Sequence, residues 1–136
     1  MNKRLMLALV AVAALAAAKA ARADTILAYS QVVNTGLSTS YNTNNILTTT
    51  TYNVANDGRV FLHFKKSGAG TATVSIVTAA TVQGLAVADL SISIPASTGD
   101  KIIGPFAPSL FNDSNGNVGF TVSGDTTSLS MAAFRL

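Results

Sequence analysis

The sequence predicts an all-β protein: an antiparallel β-sandwich or small jelly roll, preceded by a short apolar N-terminal helical segment. Three observations carry this reading. Apolar residues recur with period two in one segment after another, as in strands with one buried and one wet face. Turn-forming clusters of Asn, Gly, Asp and Ser fall between these segments at short, regular intervals. The chain also lacks Glu, Cys and Trp and has a single His, while being rich in Thr, Ser, Asn, Ala and Val. Such a composition suits turns and half-buried sheets and offers few proton-handling or metal-ligating groups.

The first 23 residues differ from the rest. Lys3 and Arg4 precede an apolar run from Leu5 to Ala18, and Ala21-Arg22-Ala23 leads into Asp24. A charged start, a short apolar stretch and small residues at a break read as a secretory signal peptide cleaved near Ala23, or as a retained N-terminal arm. The run is shorter than the ~20 residues that span a bilayer. Residues 24–136 then form one β-sandwich domain, large enough for a single core of modest size.

The basic balance belongs to the N-terminal segment. Four of the nine Lys and Arg residues (Lys3, Arg4, Lys19, Arg22) precede Asp24, whereas all six acidic residues are Asp at or after it. Beyond Ala23, five basic residues therefore face six acidic ones, a net charge of −1. A nucleic-acid partner is not expected, because phosphate neutralisation needs a basic patch. Only Lys65 and Lys66 are adjacent in the domain, and they read as a solvated strand end. Without cysteine there is no disulfide framework, so a small domain of this kind gains from association with neighbours.

Gln31 to Tyr52 is polar, with little hydrophobic anchorage, and reads as an exposed or edge element leading into a Tyr52–Val54 strand. A neighbouring subunit is one candidate for ordering it. Asn56-Asp57-Gly58 is a turn. Val60, Leu62 and Phe64 share one face of the next strand, with Phe61, His63 and Lys65 on the other, so this strand is a candidate for cover on both sides. Ser67-Gly68-Ala69-Gly70 reads as a hairpin loop. Ala72, Val74 and Ile76 alternate with Thr73 and Ser75, and Leu90-Ser91-Ile92-Ser93-Ile94 alternates strictly up to Pro95. Ser97-Thr98-Gly99-Asp100 is a turn cluster. Gly104-Pro105-Phe106-Ala107-Pro108 carries two prolines and cannot supply a regular central ladder; it predicts an extended, exposed bend. Asn115-Gly116 is a hairpin turn. Val118, Phe120 and Val122, then Leu129, Met131 and Ala133 after the Gly124-Asp125 turn, complete the strand pattern. No stretch beyond Asp24 has a helical stripe.

Few constellations here could do chemistry. His63 would need a Ser and an Asp brought together by the fold to act in a nucleophilic triad, and no Gly-x-Ser-x-Gly elbow is present. A strand histidine satisfied by a cross-strand partner accounts for it; Asp57 is the carboxylate that an enzymatic reading would pair with it. Asn112 to Asn117 gathers oxygen ligands around a glycine, but the glycine comes too early for a calcium loop and no Glu closes the site. The Ser67–Thr71 run leads into no phosphate-binding motif. The expected protein is therefore not an enzyme, and needs no cofactor, metal or small-molecule substrate. Candidate interaction residues are Phe106, Pro108, Leu110, Phe111 and Asn112, which either meet a partner or close one end of the sandwich.

The order of segments is itself suggestive: Asn56 to Lys65 (NDGRVFLHFK), Val82 to Asp89 (VQGLAVAD), Ile103 to Pro108 (IGPFAP), Phe111-Asn112-Asp113, and the closing Ser128 to Leu136. Between Ile26 and Leu136 the chain resembles small structural proteins of tailed bacteriophages and prophages. The resemblance implies a virion component, such as a capsid decoration or cement protein, with capsid or other virion proteins as partners, homo-oligomerisation, and a location at the capsid surface. It carries no catalytic motif. The N-terminal segment departs from that pattern, since phage heads assemble in the cytoplasm. A secreted or periplasmic binding module, adhesin-like or a filament subunit, makes better use of Met1 to Ala23.

Overall fold

The computed structural model describes residues 23–43 and 46–136. The N-terminal helical segment and the signal-peptide reading lie outside these residues. Eleven strands follow in chain order: β1 (Ala23–Ile26), β2 (Tyr29–Gln31), β3 (Thr50–Ala55), β4 (Val60–Lys66), β5 (Ala72–Ile76), β6 (Thr81–Val82), β7 (Leu85–Ala86), β8 (Leu90–Ile94), β9 (Gly99–Ile103), β10 (Asn117–Gly124) and β11 (Leu129–Arg135). One helical turn, α1 (Pro108–Phe111), lies between β9 and β10. It carries no buried residue and no apolar stripe, which is why periodicity gives no sign of it. No helix among the described residues is long and apolar enough to cross a membrane.

The protein is mostly β, and a β-sandwich fits its two main sheets. One sheet has the order β1-β3-β10-β5-β8 and the other β2-β11-β4-β9, with β6-β7 a separate small hairpin. The expectation of a purely antiparallel arrangement needs correction. β1 runs parallel to β3, and β2 runs parallel to β11. The two short strands flank Leu27-Ala28, where the chain passes from one sheet to the other. All the remaining pairs are antiparallel.

The alternation read from the sequence decides the core. Val60, Leu62 and Phe64 of β4 are fully buried, as are Ala72, Val74 and Ile76 of β5 and Val118 and Phe120 of β10. Phe64 meets Phe120 edge-on across the sheets at 5.8 Å between centroids, and Tyr52 stacks on Phe120 at 5.4 Å. These are favoured aromatic geometries. Ile46 is also buried, and the Tyr52 hydroxyl accepts the Leu47 N–H at 2.9 Å.

Two turn readings change. Ser67–Gly70 is not a hairpin: β4 and β5 belong to different sheets, so the loop arches between layers. Consecutive strands of the main sheets switch layers at nearly every connection, the step from β5 to β8 being the one that stays within a sheet. Gly99 opens β9 rather than filling a turn, pairing with Lys66 at the end of β4. The segment before β3 is tied to the chain itself at Asn42, which exchanges backbone hydrogen bonds with Met131 at 2.7 and 3.0 Å, extending the β11 ladder beyond β2.

Candidate functional site

The bend after β9 is fixed by a pair of asparagines. Asn56 follows directly on β3 and is buried; its Nδ2 donates to the Phe106 carbonyl at 2.9 Å and to Asn112 Oδ1 at 2.6 Å. Its Oδ1 accepts the Gly58 N–H at 3.0 Å, and Asn112 Nδ2 donates back to the Asn56 carbonyl at 2.8 Å. Both ends of the buried amide are thereby satisfied, as burial demands. The clamp pulls Phe106 inward. Phe106 is only 2% exposed and meets Phe111 edge-on at 5.7 Å. The predicted exposed bend is therefore corrected at its centre: Phe106 closes one end of the core, with Phe111 and Asn112 half-buried beside it. Pro108 and Leu110 of the candidate set stand on the surface.

The neighbouring Asn-rich turn uses its carboxylate locally. Asp113 Oδ1 accepts the N–H groups of Asn115 and Asn117 at 2.8 and 2.9 Å, and Gly116 takes the left-handed φ of +78° that the tight turn requires. Asn112 and Val118 then bridge as an antiparallel pair.

His63 lies on the outward face of β4, with its side chain 14% exposed. Its Nε2 is 2.6 Å from Asp100 Oδ1 on the adjacent strand β9, and its Nδ1 is 2.8 Å from the Tyr41 hydroxyl. A carboxylate only accepts, so in the neutral ring Nε2 donates to Asp100 and Nδ1 accepts from Tyr41. The hydrogen bond from His63, aided by the nearby charge of Lys65, holds the Asp100 carboxyl below its ordinary range against slight desolvation. The Lys65 ammonium sits 5.3 Å from the Tyr41 ring centroid, a cation–π distance. A nucleophilic triad would place a serine at the imidazole; here the second nitrogen is taken by a phenol, which fastens Tyr41 to the sheet. Sequence reading missed Tyr41 and Asp100. The former lies in a segment without periodicity, and the latter was assigned to a turn.

Asp57 is not near this histidine. It accepts from Arg59 at 2.7 Å and from Arg135 Nε at 2.9 Å, while Arg135 Nη1 donates to Gln31 at 2.9 Å. Hydrogen bonds from Arg135 and then Arg59 hold its carboxyl far below the ordinary value. At the other end of β4, Lys66 corrects the expectation of a solvated pair. Alternation turns it onto the inward face, where it is 2% exposed. Its ammonium donates to the Thr127 carbonyl at 2.7 Å and pairs with Asp125 at 3.4 Å. Asp125 also accepts the N–H groups of Thr127 and Gly70 at 2.8 and 2.9 Å. Bonds to Thr127, then to Gly70 and the charge of Lys66, lower its pKa to about 2.

A hollow of about 390 Å³ lies beside Lys65, Asp100 and Ser130, and is lined largely by hydroxyls. Among the described residues no group of three or more His, Cys, Asp or Glu is placed to hold a metal ion.

Comparison with protein-family models, curated proteins and solved structures gives no match in any of the three.

Proposed function

We propose that this protein is a non-enzymatic virion component, a capsid decoration or cement protein on an all-β sandwich or small jelly-roll platform, binding a capsid lattice through strand edges and loops. The observation that carries the reading is how the acidic groups are used. The chain has six carboxylates, and each has a fold-holding partner. Asp24 accepts from Asn53, Asp57 from two arginines, Asp89 from the Thr78 N–H, Asp100 from His63, Asp113 from its own turn, and Asp125 from Thr127, Gly70 and Lys66. General acid–base work needs a group poised toward a substrate; these are poised toward the chain. Edges and protruding apolar side chains remain as the means of action. Leu110 and Pro108 at the fixed bend, and the β6–β7 hairpin with Val82 and Leu85 largely exposed, suit contact with a protein surface.

The N-terminal segment favours a second reading, a secreted or periplasmic binding module of adhesin-like or filament type. The mature N-terminus separates the two. An intact chain starting at Met1 inside purified particles supports the virion component; a chain starting at Asp24 and recovered outside the inner membrane contradicts it and supports secretion.

A further inference from the structure

Among the described residues the two main sheets end in four edges, and they are not equally guarded. At β9, Asp100 and Lys101 stand on the edge strand itself. Lys101 falls on the same alternation as the buried Gly99 and Ile103 but is itself exposed, so the edge carries a charge on its core-side row, a device that blocks pairing with another chain. The β1 edge carries Asp24. The β2 edge lies beside Arg135, whose guanidinium is bonded to Gln31 and set over the Tyr29 ring at 5.9 Å. The β8 edge has a charge neither in the strand nor in the neighbouring strand β5. Its five residues, Leu90-Ser91-Ile92-Ser93-Ile94, hold no charge and no proline. Their ladder runs to β5 on one side, and on the other the strand ends the sheet. Leu90 is 44% exposed and Ser91 and Ser93 are exposed.

We propose that β8 pairs with β8 of a second copy about a two-fold axis at Ile92, joining two five-stranded sheets into one. This deepens the edge-binding reading above by naming its first partner. The sequence of the strand supports self-pairing over another occupant. Read antiparallel about Ile92, it sets Leu90 against Ile94, Ile92 against itself and Ser91 against Ser93 of the second copy. Apolar residues then meet apolar residues on the core side, and hydroxyls meet hydroxyls on the outer side, which are favourable cross-strand pairs. The outer face already has this character. Thr51, Thr121, Ser75 and Ser91 lie in one cross-strand row, and Ser123, Thr73 and Ser93 in another, so both rows continue through the junction. A two-fold contact of this kind closes on itself and stops at the dimer.

The test uses the full chain and its lack of native cysteine. Sedimentation velocity should find a concentration-dependent dimer. The double variant Ser91→Lys, Ser93→Lys sets like charges opposite each other twice across the axis and should weaken association about tenfold or more. Both serines are exposed, so its circular dichroism should match the parent. Under mild oxidation, Ser91→Cys mixed with Ser93→Cys should give a disulfide-linked dimer in clear excess over either variant alone. A monomeric parent at high concentration, or a lysine variant that dimerises as well as the parent, would overturn the inference. So would cysteine variants that cross-link without preference for the mixture. A monomer that is nevertheless present in particles would reject β8 pairing and leave the virion reading standing.

Discussion

Single side chains hold this fold at places where strands alone would not. Asn56 serves three partners from a buried position, so Asn56→Ala should destabilise the protein by about 2 kcal/mol or more, because the Phe106 carbonyl and Asn112 lose a donor they cannot replace. Urea unfolding measures this directly. Tyr41→Phe removes only the hydroxyl at His63; the expected cost is about 1 kcal/mol, with faster hydrogen exchange confined to the 32–49 stretch. Acid should act through the same small set of contacts. Asp57, Asp100 and Asp125 all have folded-state pKa values below the ordinary 3.8. Their stabilisation is complete above the unfolded value and is lost as pH falls through the folded one. The share of stability these three carboxylates supply should therefore be lost as pH falls below about 4, the Asp57 share last. Asp125→Ala should make the decline shallower while lowering the melting temperature at pH 7, since Lys66 then stays buried without its carboxylate.

At the scale of strands, alternation carried most of the legible information. The inward faces of β4, β5, β10 and β11 could be read residue by residue, because one buried face imposes period two whatever the strand pairs with. β1 and β2 are short and lie at sheet edges, where period two has little to grip. β9 was hidden because Gly99 and Asp100 look like turn residues. Gly99 is there for space: a Cβ would lie 2.4 Å from the Pro95 carbonyl oxygen. Gly99→Ala should accordingly cost about 1–3 kcal/mol through a forced backbone shift, read as a lower denaturant midpoint with the same slope. Of the candidate bend, Phe106 takes the second of its two readings and closes the end of the sandwich, while Pro108 and Leu110 lie on the surface. The sequence could not choose between the readings, because the burial of Phe106 depends on Asn56, fifty residues away. Such non-local contacts leave no periodic trace.

Taken whole, the described residues join two mixed sheets around one aromatic-centred core, with the six Asp side chains bonded within the fold. Phe120 sits where Tyr52 and Phe64 meet, so Phe120→Ala should destabilise the whole domain by about 3–5 kcal/mol in a single cooperative transition. On the proposed reading the protein acts by shape, through an uncharged edge, an exposed apolar hairpin and a fixed bend. The identity of the open edge could be seen only once the strand order was known. The most direct test of the account is quantitative mass spectrometry of purified phage or prophage particles made by the genome that encodes the chain. The account predicts this polypeptide in a fixed, high copy number relative to the major capsid protein; its absence from intact particles would contradict it.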